Sequence, residues 1–304
     1  MHFLLSGCNS RAERLPWRDN LFKLLYSRGA IERASTPHQR PPMCQLLGMN
    51  CNTPTDIVFS FEGFTQRGGF TDKHSDGWGI AFFEDRAARL IIDPQPSFSS
   101  PMSNLIKTYP IKSLNVIAHI RLATQGVVSL ENCHPFVREL WGRHWVFAHN
   151  GNLKDFHPPL DGIYNPIGDT DSERAFCYVL QQLRAALSDF TAAQPPSVDD
   201  IFNALAPIVK SIATHGTFNF CLSNGQAMWT YCSTNLYYIV RQHPFINAHL
   251  VDADVAIDFA EHTTPNDRVA VVVTAPLTDN EVWQKMLVGE FTMFVDGRPQ
   301  RAQT

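Results

Sequence analysis

The chain has 304 residues, 44% hydrophobic and 18% charged, with a formal net charge of -4. That length buries one large core or two modest ones, and an acidic balance without a basic cluster argues against a nucleic-acid partner, whose phosphates favour clustered Lys and Arg. No apolar run approaches the roughly 18 residues that cross a bilayer, so no membrane partner is expected.

Residues 1–42 stand apart. They carry seven Lys/Arg against three acids, a balance of +4 that leaves -8 for residues 43–304, and they end at Pro41-Pro42, where two missing donors disfavour any regular element. Three readings fit: a leader from a start site assigned too far upstream, a cleaved segment, or an arm that stays attached. The first is preferred, and all three leave 1–42 outside the core. The remainder, 43–304, reads as a single domain.

Residues 45–49 read as a short strand and 53–66 as a helix, with Ile57, Phe61 and Phe64 three and four apart. The Gly-rich run 67–79, from Arg67-Gly68-Gly69 to Asp76-Gly77-Trp78-Gly79, marks tight turns or close backbone approach before a strand. It does not match GxGxxG opening a helix, so no dinucleotide cofactor is expected. Residues 114–120 and 145–149 read as strands leading into Arg121 and Asn150-Gly151. Thr170 is placed to cap a helix to about 187, and Ser197 one to about 214, kinked at Pro207 and stopped by Gly216. Asn224-Gly225, between strands within 218–231, predicts a two-residue hairpin turn with positive φ at both positions. Strands at 236–240, 268–274 and 290–295 complete an α/β (α+β) pattern whose antiparallel hairpins exclude a purely parallel sheet.

Seven cysteines (8, 44, 51, 133, 177, 221 and 232), an odd number without CxxC, suit free thiols in a reducing, cytoplasmic setting. One differs in context. Cys44 follows Met43, and if Met43 is the initiator its removal exposes a residue with both a thiol and an α-amine. An α-amine of reference pKa about 7.7 to 8.0 can take the thiol proton near neutral pH. Asn150 and Gly151 suit an oxyanion site, one through its side-chain amide and the other through a backbone N–H unobstructed by a Cβ. Arg121 can fork onto a carboxylate, and Asp171, at a helix start, can hold an ammonium. Each also has a plain structural reading: Asn-Gly as a turn, Arg121 as an ion pair, Asp171 as a first-turn acid, Asp76 as a turn cap, and Trp78 as core. His74, His119, His134 and His149 lack HExxH or finger spacing, so no metal is expected. Cys133-His134 is a poor thiol–imidazole pair if extended, since neighbours on a strand face opposite ways.

Taken together, Met43-Cys44, Arg67-Gly68 with Asp76-Gly77-Trp78-Gly79, His119-Ile120-Arg121-Leu122-Ala123-Thr124, His149-Asn150-Gly151 and Thr170-Asp171-Ser172-Glu173 resemble, in order, the motifs of the class II glutamine amidotransferases. These are N-terminal-nucleophile hydrolases, and the chain looks like their stand-alone bacterial members. The resemblance implies a four-layer αββα sandwich with two mainly antiparallel sheets. It implies Cys44 as nucleophile, Asn150 and Gly151 as oxyanion site, Arg121 as carboxylate clamp and Asp171 as ammonium anchor, with Arg67, Asp76 and Trp78 near the substrate. The implied substrate is glutamine, with an acceptor enzyme in trans. Two alternatives stay open: a hydrolase of modified γ-glutamyl amides, and a non-catalytic glutamine-binding regulatory subunit.

Overall fold

A computed structural model describes residues 44–123 and 126–304, so the expectations for 1–42, Met43 and Thr124 lie outside the described residues. The first half runs through strand β1 (Gln45–Thr55), helix α1 (Val58–Gln66), strands β2 (Trp78–Glu84) and β3 (Ala87–Asp93), helix α2 (Pro101–Thr108), then β4 (Ser113–Ile120), β5 (Phe136–Leu140) and β6 (Arg143–Leu153). Helices α3 (Asp171–Ala186) and α4 (Val198–Ala213) follow, then β7 (Gly216–Ser223), β8 (Met228–Cys232) and β9 (Tyr237–Gln242). The short β10 (Asn247–His249) and β11 (Ala256–Asp258) precede β12 (Arg268–Val273), β13 (Gln284–Lys285), β14 (Glu290–Val295) and β15 (Arg298–Gln303).

These strands form a seven-stranded sheet in the order β13-β9-β12-β1-β4-β2-β3, a six-stranded sheet in the order β15-β14-β8-β7-β6-β5, and a small β10-β11 ribbon. Alternation along each strand sorts side chains into three apolar layers. Leu46 on β1, Ile117 on β4, Val146 and Ala148 on β6, Met228 on β8 and Val272 on β12 meet between the two sheets. The residues that alternate with them turn outward. Leu47, Met49, Ile80 and Val271 pack beneath Phe61 and Phe64 of α1 and Ile106 of α2. On the other side Trp145, Phe147, Phe220 and Trp229 pack beneath Phe176 and Leu180 of α3 and Phe202 and Leu205 of α4. The result is a four-layer αββα sandwich with two antiparallel sheets. Among the described residues no helix is long and apolar enough to cross a membrane.

Both helix caps read from the sequence are formed. Thr170 Oγ1 accepts the Glu173 N–H at 3.2 Å, and Ser197 forms a reciprocal capping box with Asp200 at the start of α4. Pro207 lies inside that helix.

Three boundaries differ from expectation. The predicted helix start at 53 belongs to β1, which continues to Thr55 and pairs it with Ser113; the helix begins at Val58, whose N–H is taken by Asp56 Oδ1 at 3.1 Å. β-branched Thr53 and Thr55 and the donor-less Pro54 suit that irregular strand end better than a helical turn. Asn150-Gly151 makes no turn, because β6 runs on to Leu153 and pairs Asn150 with Asn219 and Gly151 with Phe218. The Asn224-Gly225 connection spans four residues, and of the pair only Gly225 has positive φ, at +87°. Side chains make this turn: Asn224 Oδ1 accepts the Gln226 N–H at 3.0 Å, while Ser223 Oγ accepts from Gly225 and donates to the Ala227 carbonyl.

Phe147 holds β6 against the helix layer, buried with its ring stacked 5.2 Å from Phe176 and tilted 5.6 Å from Phe220. Phe147→Ala is expected to cost about 3–5 kcal/mol, measured as a drop in the urea midpoint at unchanged slope.

Candidate active site

Antiparallel pairing of Gln45 with Ile120 puts the start of β1 beside the end of β4. The residues just beyond, Cys44 on one chain segment and Arg121 with Leu122 on the other, therefore come together. The Cys44 Sγ sits against one residue's backbone, accepting the Leu122 N–H at 3.2 Å and lying 3.3 Å from the Leu122 carbonyl, to which the thiol can donate. That short loop is itself pinned. Arg121 N–H donates to the Gly77 carbonyl, Asp76 N–H to the Arg121 carbonyl, and Asp76 Oδ2 accepts the Ala123 N–H at 2.8 Å.

A cleft at this point is lined by Cys44, Arg121, Leu122, His134, His149, Gly151, Thr170, Asp171 and Ser172. The ends of β1 and β4 in the seven-stranded sheet supply Cys44, Arg121 and Leu122, β6 of the six-stranded sheet supplies His149 and Gly151, the connection before β5 supplies His134, and the start of α3 supplies Thr170, Asp171 and Ser172. Buried Arg121 donates to the carbonyls of Val127 and Gly126 at 3.0 and 3.3 Å. Asp171 is oriented by the Leu153 N–H at 2.7 Å on one oxygen and the Ser172 N–H at 2.8 Å on the other, at a helix N-terminus that favours its charge. Asn150 is buried and its Nδ2 has no hydrogen-bond partner among the described residues, an uncommon state for a buried amide. Gly151 is needed for packing as well. A Cβ there would lie 1.8 Å from the Thr217 carbonyl oxygen and 2.5 Å from His149 Nε2.

Burial pushes the Cys44 thiol up to about 11, with the Leu122 N–H and then the Arg121 charge opposing that rise and the Asp171 charge adding to it. The thiol is thus protonated at neutral pH and needs a base. Among the described residues no side chain hydrogen-bonds to that sulfur. His149 Nε2 lies 3.0 Å from the Thr217 carbonyl, which only accepts, so that nitrogen carries the proton; Nδ1, 2.8 Å from Ser172 Oγ, accepts. Both its nitrogens are engaged, and burial lowers its pKa against the pull of Asp171. Burial likewise holds His134 well below its ordinary value.

Five of the residues read from the sequence thus come together around one cleft, Cys44, Arg121, Gly151 and Asp171 in its lining and Asn150 beside Gly151, with Asp76 supporting it from behind. Two are placed elsewhere. Trp78 faces outward with Ile80 and Phe82, its ring 5.7 Å from Phe61 beneath α1, because alternation along β2 sends Ala81 and Phe83 inward instead. Arg67 is buried behind the cleft, donating to Asp252 at 2.7 Å, to Gln45 Oε1 and to the carbonyls of Ala275 and Pro276. It steadies the residue next to Cys44. Among the described residues no group of His, Cys, Asp and Glu is arranged to hold a metal ion. Sequence reasoning did not find Leu122, whose backbone holds the sulfur, since a backbone contact leaves no side-chain signature. It considered His134 only as a partner for Cys133 and as one of four candidate metal ligands.

With a thiol pKa near 11, alkylation of Cys44 by iodoacetamide is expected to accelerate about tenfold per pH unit from pH 7 to 10, followed by mass spectrometry of the Cys44 peptide. A rate already level at pH 8 would contradict the neutral thiol.

Comparison with known proteins identifies the family. The family model described as "Glutamine amidotransferases class-II" matches residues 43–304. A protein of Haemophilus influenzae, provisionally named a glutamine amidotransferase, is 56% identical over 255 residues, covering 84% of this chain and 85% of that one. Escherichia coli YafJ, named in the same provisional way, is 50% identical over 255 residues, 84% of this chain and 98% of its own. The crystal structure of a Pseudomonas aeruginosa protein, titled a predicted glutamine amidotransferase, superposes with a TM-score of 0.67 at 42% identity, covering 85% of this chain and all of that one. The chain belongs to the class II glutamine amidotransferases.

Proposed function

We propose that this chain cleaves the side-chain amide of glutamine through a γ-glutamyl thioester on Cys44, releasing ammonia to water or to an acceptor enzyme in trans. The observation that carries this reading is a half-buried, protonated thiol that no side chain hydrogen-bonds among the described residues, in a cleft that offers one guanidinium and one carboxylate. A free α-amine on Cys44 supplies the missing base, which requires the chain to begin at Cys44 once Met43 and everything before it is removed or never translated. Arg121 then takes the α-carboxylate of the substrate and Asp171 its α-ammonium, pointing the amide at Sγ.

The chemistry follows from those positions. The amine takes the thiol proton as Sγ attacks the amide carbon, and the oxyanion is met by Asn150 Nδ2 and the Gly151 N–H. The same amine returns the proton to the leaving nitrogen, and ammonia departs. Water then opens the thioester to give glutamate. Free glutamine or another γ-glutamyl amide fits this description, since the recognition falls on the amino-acid head group.

Expressed from Met43, the protein should release glutamate from glutamine, whereas Cys44→Ala, or retention of residues 1–42, should abolish release; activity in either case defeats the assignment. Asp171→Asn should raise KM by roughly 10- to 100-fold, the worth of a hydrogen bond to a charged group, with a smaller fall in kcat. Steady-state kinetics against glutamine separates the two constants.

A further inference from the structure

The Cys44 mechanism leaves unused a pair of histidines at the wall of the cleft. His119 on β4 and His134, in the connection before β5, are both buried, with ring centroids 4.2 Å apart. His134 also lines the Cys44 cleft and rests against Phe136, ring to ring at 4.5 Å. Among the described residues neither ring nitrogen of His134 has a hydrogen-bond partner, and His119 has only a poorly aligned contact with the His149 backbone. Burial keeps both rings neutral, His119 down at about 3.

Two neutral imidazoles carry two N–H donors and two bare nitrogens, and groups left buried in this way are normally satisfied by a small polar molecule. The charged ends of an amino acid are suited to Arg121 and Asp171, which offer full opposite charges. The imidazoles offer none. What they match is a small neutral species that donates and accepts at once, in the cleft that His134 lines together with Cys44. Rings held neutral by burial are too weakly basic to deprotonate it.

We propose that His134, backed by His119, is a positioning residue that holds the hydrolytic water for opening the thioester on Cys44. This rests on the glutamine-cleaving reading above. In that step the water oxygen bonds to the acyl carbon as the carbon–sulfur bond breaks. One water proton passes to the Cys44 α-amine and on to Sγ, and the other leaves as the new carboxylic acid ionises.

The test is nucleophile replacement in enzyme beginning at Cys44, following glutamate release and, with hydroxylamine added, γ-glutamyl hydroxamate. His134→Phe keeps the ring packing and removes both nitrogens. It should slow glutamate release roughly 10- to 100-fold, the scale of a misplaced reactant, and accumulate γ-glutamyl enzyme visible by intact mass. Hydroxylamine should restore turnover as hydroxamate, because a diffusing nucleophile needs no holder. His134→Asn, which retains a donor and an acceptor, should keep most of the glutamate release and carries the test if the Phe variant does not fold, with His134→Ala as its partner. Glutamate and hydroxamate falling together without acyl-enzyme, or glutamate release unchanged in both Phe and Ala variants, would overturn the proposal. A wild-type enzyme that forms neither product defeats the underlying reading, which the variant pattern alone cannot do.

Discussion

The site depends on one sulfur held by the backbone of one residue. Leu122 can bracket Cys44 Sγ because β1 and β4 are adjacent and antiparallel in the seven-stranded sheet, so the residues just past their paired ends must meet. The contact costs solvation. A thiol taken from water this way resists ionisation, and the single N–H from Leu122 and the nearby guanidinium recover only part of that cost. In the proposed mechanism a thiol so placed stays protonated until the α-amine takes its proton.

The second half of the cleft comes from β6 of the other sheet, the connection before β5 and the start of α3, so its geometry is set by how closely the two sheets approach. Small inner side chains, Ala81, Ala148, Cys221 and Ala270 among them, share that layer with larger Phe83, Met228 and Phe294. Gly48 shows how little space is left. A Cβ there would lie 2.6 Å from Met228 Sδ and 3.2 Å from Cys221 Sγ. The charged groups of the cleft are likewise braced from behind. Glu173, buried in the first turn of α3, accepts from Arg138 at 2.5 Å and from the N–H groups of Ile167 and Gly168, fixing the loop that delivers Asp171. Asn132 clasps the same loop by accepting the Asp169 N–H and donating to its carboxylate. These buried polar groups offset their own desolvation through such bonds.

What was legible before any fold was local chemistry. Thr170 and Ser197 announced their helices because a cap needs a short oxygen-bearing side chain three residues before the N–H that it satisfies. The strands with alternating or continuous apolar residues, such as 114–120 and 268–274, were legible for the same reason: the pattern that buries them is written in consecutive positions. The order of motifs from Cys44 to Glu173 singled out the residues that the fold then gathers. The sequence by itself also determined that the chain has the core, the thiol, the guanidinium and the carboxylate that this chemistry needs.

Only the tertiary structure decided what those residues meet. Asn150-Gly151 reads as a turn, but pairing with β7 keeps it extended, because the partner strand and the Asn219 side-chain amide at 3.1 Å from the Asn150 carbonyl satisfy the backbone there. Arg67 and Trp78 carry the same family motif as Asp76, yet a guanidinium goes where four acceptors converge and an indole goes where a strand face is dry. The neighbouring rings of His119 and His134 lie 15 positions apart in the chain and gave no spacing signal. The hold of Leu122 on the sulfur is a backbone contact, indifferent to which side chain residue 122 bears. Such placements follow from the register between strands distant in the chain, and that register is a property of the packed sheets, settled only when both faces are buried.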